Sequence, residues 1–240
     1  MKIAGQVGSV TTCFESTIEY CRPYLTEDEP AFSVTVTPEE REFEQKASVE
    51  EALEEGIRPR KYGDPHLERA GIQRKYAEAL FDRGILMVHG SAVALDGEGF
   101  LFTADCGTGK STHTRLWREV FGSRAIMIND DKPFLTIREE GVLISGSPWS
   151  GKHGLDTNIT VPLRGICILT RGKENRIRPM APEEALTMLR KQSYRPLDAG
   201  KEDRFLQLTE ILATTVPLWY LECTKDPEAA EISHSAMTSK

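Results

Sequence analysis

One stretch constrains this chain more than any other: residues 100–117, FLFTADCGTGKSTHTRLW, which pass from an apolar run through a glycine-rich turn into a helix-forming segment. Phe100, Leu101 and Phe102 read as a short buried strand. Gly107 and Gly109 can take backbone angles that a residue with a Cβ resists, which lets successive amide N–H groups converge on an anion. Lys110 sits where its ammonium reaches the β- and γ-phosphates of a nucleotide, and Ser111 where its hydroxyl binds Mg²⁺. The helix that follows adds its positive N-terminal end. Cys106, Gly107, Thr108, Gly109, Lys110, Ser111 and Thr112 are therefore the expected nucleotide-binding residues. Against the pattern G-x-x-x-x-G-K-[ST] only the first position departs, being Ala104. Alanine tolerates positive φ poorly, so the start of the turn is expected to differ from the usual one. The alternative is a tight strand-to-helix connection with no ligand, and the strand before and helix after favour a phosphate loop.

At 240 residues the chain has room for one large domain with an appendage, or for two small domains. Its net charge of −7, with both signs interspersed, argues against a broad nucleic-acid surface while leaving room for a local basic pocket. No apolar run approaches the roughly 20 residues that span a bilayer. The start, MKIAGQVGSV, is too polar for a secretory signal, so no membrane association and a cytoplasmic location are expected. Five cysteines, Cys13, Cys21, Cys106, Cys167 and Cys223, are odd in number and lack C-x-x-C spacing, which argues against a disulfide framework and against zinc. Cys106, near a helix N-terminus, occupies a place where thiol pKa values fall, although a small filler in the turn explains it as well.

Along the chain, residues 2–10 and 31–36 read as strands, with a short helix over 13–20 between them. Thr37 and Pro38 open an acidic helix, as N-cap and first helical residue, whose charged face is expected to be solvated up to Gly56. Residues 57–66, IRPRKYGDPH, carry the strongest break in the N-terminal third, and the expected boundary lies there: a small α/β segment over 1–60 and the main domain over 61–240. An amphipathic helix follows over 67–83. Residues 85–88 and 92–95 are strands, and Asp96-Gly97 is a hairpin turn leading to Phe100. A helix over 112–121 precedes strands at 125–128, 134–137 and 142–144, the last two joined by an acidic turn. A polar segment over 146–157, a buried strand over 165–170, helices over 182–192 and 202–215, a strand over 218–222 and a terminal helix from 226 complete the expectation, with no repeats.

A phosphate loop binds nucleotide without saying what becomes of it, so the acidic residues that end neighbouring strands matter most. Asp130 and Asp131 do so. In phosphate-loop enzymes a carboxylate at such a strand end holds Mg²⁺ together with the loop hydroxyl. A second, adjacent carboxylate can accept the proton of an attacking hydroxyl. The competing explanation is an ordinary polar turn, Asn129-Asp130-Asp131. His89 ends a strand and is followed by Gly90, but a lone histidine is more often packed or exposed than catalytic.

Taken together, His89-Gly90, the hairpin into ADCGTGKST and the strand ending in Asp130-Asp131 come in the same order and at similar spacing as in the catalytic domain of HPr kinase/phosphorylase, which residues 85–170 resemble. The chain is more distantly similar to ATP-dependent phosphoenolpyruvate carboxykinases. The resemblance implies an α/β fold with a phosphate-loop core of the HPr-kinase/phosphoenolpyruvate-carboxykinase type, preceded by a small N-terminal α/β segment. It implies transfer of the γ-phosphate of ATP, with Mg²⁺, to a serine or threonine of a small protein or peptide. Lys110 and Ser111 would hold phosphate and metal, Asp130 and Asp131 would supply a metal ligand and the base, with Asp131 favoured as base, and His89 would lie close to the acceptor. Residues 1–60 are too short for the N-terminal domain of the bifunctional enzymes, and 146–156 match the family's later signature only loosely. The chain looks more like the smaller HPr-kinase-related proteins.

Within GSPWSGKHGLDT, Lys152 and His153 are placed to reach a phosphate or the acceptor, and Trp149 to stack on a base or pack in the core. Arg164 and Arg171 read first as surface charge and second as transition-state arginines. Two other functions fit the same residues, a kinase of a small-molecule hydroxyl and a nucleotide-binding regulatory module with little catalysis. The retained carboxylate pair speaks against the second, because binding alone needs no base. A homo-oligomer is left open.

Overall fold

The computed structural model describes residues 1–54, 56–138 and 140–239. The expected acidic turn after residue 137 includes Glu139, which lies outside the described residues. The chain divides into two compact units, Met1–Arg83 and Gly84–Lys240. No helix among the described residues is long and apolar enough to cross a membrane.

In the first unit, β1 (Lys2–Ile3) and β2 (Gln6–Thr11) form a hairpin where one strand was expected. Ala4 and Gly5, at φ 51° and 73°, make its two-residue turn, a left-handed pair that suits tight hairpins. Helix α1 (Glu15–Cys21) leads to β3 (Phe32–Thr35), which pairs with β2 in parallel. Helix α2 (Pro38–Glu54) starts on a reciprocal cap: the Thr37 hydroxyl accepts from the Glu40 N–H at 3.3 Å, and the Glu40 carboxylate accepts from the Thr37 N–H at 2.8 Å. Helix α3 (Asp64–Phe81) buries Leu67, Ile72, Tyr76 and Leu80. The Tyr76 hydroxyl donates to the Met1 carbonyl at 2.5 Å and accepts from the Gly8 N–H at 2.9 Å, which ties this helix to the hairpin. Residues 57–66, where the break was expected, therefore lie inside this unit, 57–63 leading from α2 to α3 and 64–66 opening α3. The Gln45 amide holds the connection, donating to the Arg60 carbonyl at 3.0 Å and accepting from the Tyr62 N–H at 2.8 Å.

In the second unit the strands β4 (Ile85–Met87), β5 (Ser91–Leu95) and β6 (Glu98–Thr103) precede helix α4 (Lys110–Phe121). Then come β7 (Ala125–Asn129), β8 (Phe134–Arg138), β9 (Gly141–Ser145), β10 (Thr160–Arg171) and β11 (Arg176–Pro179). Helices α5 (Pro182–Gln192) and α6 (Glu202–Thr215), strand β12 (Leu218–Cys223) and helix α7 (Glu228–Thr238) end the unit. The strands join in one mixed sheet, in the order β4-β8-β9-β10-β6-β5-β7, with β12 on β10 and β11 on β12. Mixed α/β architecture is thus established.

Strand β10 runs twelve residues, twice the length expected, and makes the mixture possible. Its start pairs antiparallel with β9, and its remainder pairs parallel with β6 and β12. Pro162 hid the start from sequence inspection, since proline is confined to strand ends and edges. Strand β11 was not expected either, because RIRP carries almost no apolar pattern. It is held by cross-strand contacts, with Arg178 lying opposite Tyr220 and its guanidinium 5.1 Å from that ring's centroid.

The core under α4 joins Phe100 and Phe102 of β6 to Trp117, with ring centroids 4.8 and 5.3 Å apart. Helix α7 closes over it: the Trp117 Nε1–H donates to Ser233 Oγ at 2.9 Å, and His113 Nε2 lies 3.1 Å from the same oxygen. Burial pushes the His113 imidazolium down to about 4. The folded unit therefore keeps His113 neutral where the unfolded chain, at the ordinary value of 6.5, takes up a proton. Because the unfolded state binds more protons below that value, stability is lost as pH falls from 6.5 towards 4. Between pH 7.5 and 5 this one group should cost about 2 kcal/mol. Urea unfolding of wild type and His113→Gln at both pH values should show the loss shrinking by about that amount in the variant; equal losses would mean that His113 is not the group titrating.

Candidate functional site

The site grows from the ends of two adjacent strands and the turn before α4. Ala92 of β5 lies opposite Asn129 of β7, so Ser91 and Asp130 leave the sheet side by side. The Ser91 hydroxyl donates to Asp130 Oδ1 at 2.7 Å and shares a 2.7 Å hydrogen bond with Thr114 Oγ1 on the second turn of α4. Asp130, 7% exposed, is thereby tied to the helix that follows the glycine turn. Among the described residues its other oxygen, Oδ2, accepts from no protein donor.

The fully buried Asn129 side chain shapes the next two residues. Its Oδ1 accepts from the N–H groups of Asp131 at 2.7 Å and Lys132 at 2.6 Å, and its Nδ2 donates to the Ser147 carbonyl at 2.8 Å. The Ser147 hydroxyl in turn donates to the Lys132 carbonyl at 2.7 Å. This turn delivers Asp131 to His89. The Gly90 N–H donates to the Asp131 carbonyl at 3.0 Å, the His89 N–H to the Gln192 carbonyl at 2.7 Å, and His89 Nε2 stands 3.3 Å from Asp131 Oδ1. The Thr103 hydroxyl, at the last residue of β6, donates to the His89 carbonyl at 2.9 Å and links this pair to the entrance of the glycine turn.

Electrostatics separate the two ring-and-carboxyl partners from their free forms. Burial pushes the Asp131 carboxyl up from its ordinary value, with the charges of Lys132 and Lys110 opposing and that of Asp130 adding. Burial, with Lys132 and Lys110, pushes the His89 imidazolium down to about 3. The 3.3 Å contact alone would favour an ion pair, but desolvation and two nearby ammonium groups outweigh one carboxylate, so the ring is neutral at physiological pH.

In the turn itself, Gly107 and Gly109 adopt φ of 72° and 118°. Ala104 does not: among the described residues the only non-glycine positive-φ positions are Ala4 and Asp96, so alanine is accommodated without strain. The Lys110 ammonium reaches back across the turn to the Ala104 carbonyl at 3.1 Å. Asp105 pairs with Lys191 of α5 at 2.6 Å, and the Arg171 guanidinium donates to the Gly107 carbonyl at 2.5 Å. Cys106, Gly107, Thr108, Thr170 and Arg171 line a shallow depression of about 350 Å³.

Lys110, Asp130, Asp131 and His89 are therefore neighbours, and Ser111 begins the helix that carries Thr114. Cys106 and Thr108 lie outward of them with Arg171, which is exposed and bonded to the turn through the Gly107 carbonyl. Thr112 is half-buried on the first turn of α4. Arg164 stands apart on β10, its Nε buried with no partner among the described residues. Trp149 is a core residue, 5% exposed and 6.2 Å from the Phe134 ring, so it is not available to stack on a base. Lys152 and His153 are exposed. Sequence reasoning passed over Ser91, Thr114 and Gly151. Serine after His-Gly was the signal for the first, and nothing local marks the other two.

No group of three His, Cys, Asp or Glu side chains able to hold a metal exists among the described residues. Mg²⁺ commonly takes only one or two protein oxygens and completes its shell with phosphate and water. Asp130 Oδ2 and the Ser111 hydroxyl, which has no partner among the described residues, fit that sparse requirement.

No protein-family model and no curated protein matches the chain. Among solved structures it is similar to the Hpr(Ser) kinase/phosphatase from Coxiella burnetii, at 13% identity and a TM-score of 0.38, over 62% of this chain and 96% of that one. Likeness at that level says nothing about chemistry, which has to be read from the residues.

Ser91→Ala removes the donor that satisfies Asp130 and should lower unfolding stability by about 1–3 kcal/mol, the cost of leaving a buried acceptor short of its partner. Urea midpoints measure it; a loss under about 0.5 kcal/mol would mean that Asp130 is held by something other than this bond.

Proposed function

We propose that residues 84–240 form an ATP- and Mg²⁺-dependent kinase, built on a phosphate-loop core, that transfers the γ-phosphate to a serine or threonine hydroxyl of a small protein or peptide. The observation that carries this is the placement of two unlike carboxylates beside α4: Asp130 bonded to that helix through Ser91, and Asp131 paired with a neutral His89. Division of labour between a metal ligand and a base requires such a difference in environment. The acceptor class follows from the resemblance of His89-Gly90, residues 104–112 and Asp130-Asp131 to HPr kinase/phosphorylase.

In this reading the amides of 106–112 and the Lys110 ammonium bind the β- and γ-phosphates, and Ser111 and Asp130 are the protein's metal ligands. Mg²⁺, when bound, neutralises charge on the phosphate oxygens. Asp131 takes the proton of the acceptor hydroxyl as the hydroxyl oxygen attacks phosphorus and the bond to the β-phosphate oxygen breaks. Its raised pKa makes it a stronger base than an ordinary carboxylate while leaving it ionised above the titration. His89, kept neutral, orients Asp131 through Nε2 when that nitrogen carries the proton.

The direct test incubates the protein with Mg²⁺ and γ-labelled ATP, with HPr in one reaction and small proteins or peptides in others. Label should appear on a serine or threonine, and Asp131→Asn should lower kcat by about 10²–10⁴-fold. Tight nucleotide binding with no label on any acceptor would instead favour a binding module or a small-molecule kinase. Because Asp131 acts as a base with a raised pKa, activity should fall as pH drops, and the acidic limb of the kcat/KM profile should lie above the ordinary aspartate value of about 3.9. A limb at or below that value would remove Asp131 from the role of base.

A further inference from the structure

The polar segment between β9 and β10 is fastened along the end of β7 rather than left as a free loop. The Asp130 N–H donates to the Leu155 carbonyl at 3.1 Å and the Thr157 N–H to the Ile128 carbonyl at 3.1 Å. Gly146 closes its base, since a Cβ there would lie 2.0 Å from the Thr157 carbonyl oxygen. Gly151, at φ 67°, lies against Asp131, where a Cβ would sit 3.2 Å from the Asp131 Cβ. The tight turn Gly151–His153 then presents Lys152 and His153 outward, next to the candidate base. Lys132, half-buried, follows Asp131 directly in the chain, and its charge is felt at both Asp131 and His89.

These lysines differ from the cations of the unit that form ion pairs. Arg124, Arg178, Arg190, Lys191 and Arg195 each pair with a carboxylate. Lys132 and Lys152 have no such partner among the described residues. Asp156, the one acid in the segment, is engaged by the Ser150 hydroxyl at 2.5 Å. In a chain of net charge −7, two lysines without an ion pair among the described residues stand next in sequence to Asp131 and to the Gly151 that packs on it.

We infer that the acceptor is an acidic segment, a serine or threonine with Asp or Glu side chains beside it, held by Lys132 and Lys152. This rests on the kinase reading and adds the chemistry of the substrate to it. Lys152 contacts flanking residues of the acceptor and takes no part in the transfer, whereas the nucleotide is held from the α4 side by residues 106–112. Charge complementarity of this kind steers encounter and selects partners, and it weakens with salt.

Two peptides serve as probes, one with a central serine flanked by Asp and Glu and one with the same serine flanked by Gln, with wild type, Lys152→Arg and Lys152→Glu. Wild type should favour the acidic peptide in kcat/KM by about tenfold at low salt. Lys152→Glu should raise KM for that peptide about fivefold and leave KM for ATP unchanged, Lys152→Arg should preserve the preference, and a lysine-flanked peptide should gain with Lys152→Glu. Equal use of the two peptides, or a rise in KM for ATP in place of that for peptide, would overturn the inference while leaving the kinase intact. Fluorescence anisotropy of the labelled peptides separates the two readings further. Lys152-dependent binding of the acidic peptide without phosphate transfer would support the acidic occupant and overturn the kinase. Absence of both binding preference and transfer would overturn both.

Discussion

A buried carboxylate is stable only when its charge is met by donors, and Asp130 meets that condition through one hydroxyl that also touches the helix. Ser91 at the start of β5, Asp130 after β7 and Thr114 on α4 are linked at 2.7 Å each, so sheet and helix share a polar junction beside the apolar packing. An unpaired charge at 7% exposure would be costly. The junction therefore fixes where α4 begins relative to the strand ends, and with it the place of Lys110 and Ser111.

The neighbouring carboxylate is governed by a different balance. Asp131 takes its position from the buried Asn129 amide and from the Gly90 N–H, and its electrostatics from burial opposed by two lysines. Two consecutive residues of the same type thus stand in unlike environments, one oriented by a hydroxyl and the other facing a neutral imidazole. The asymmetry arises because β7 ends at Asn129, whose buried side chain accepts from the N–H groups of Asp131 and Lys132 and redirects the chain between the two aspartates.

Much of the local structure was legible. Helices over 182–192 and 202–215 and the Asp96-Gly97 hairpin follow from apolar period, terminal residues and turn chemistry, all of which act over a few residues. Strand β11, the first five residues of β10 and the Ala4-Gly5 turn were not legible, since each owes its conformation to a partner strand remote in sequence. Ala104 shows the reverse: a departure from a motif that the backbone absorbs, because the chain leaves β6 at that position without a left-handed residue.

By itself, the sequence determined which residue types stand at the strand ends and in the glycine turn, because those positions are set by local backbone preference and by chain order. Only the tertiary structure decided which of them meet. Lys110, Asp130, Asp131 and His89 come from two separate strand ends and a helix, and Ser91, Thr114 and Gly151 join them through hydrogen bonds and close approaches across 20 to 39 residues. Trp149 and Lys152 make the same point within one short segment. Both were candidates for a ligand, and packing against Phe134 took one into the core while the turn at Gly151 left the other beside Asp131. Neighbours in sequence share propensity, but burial and charge pairing depend on what the rest of the fold brings to them.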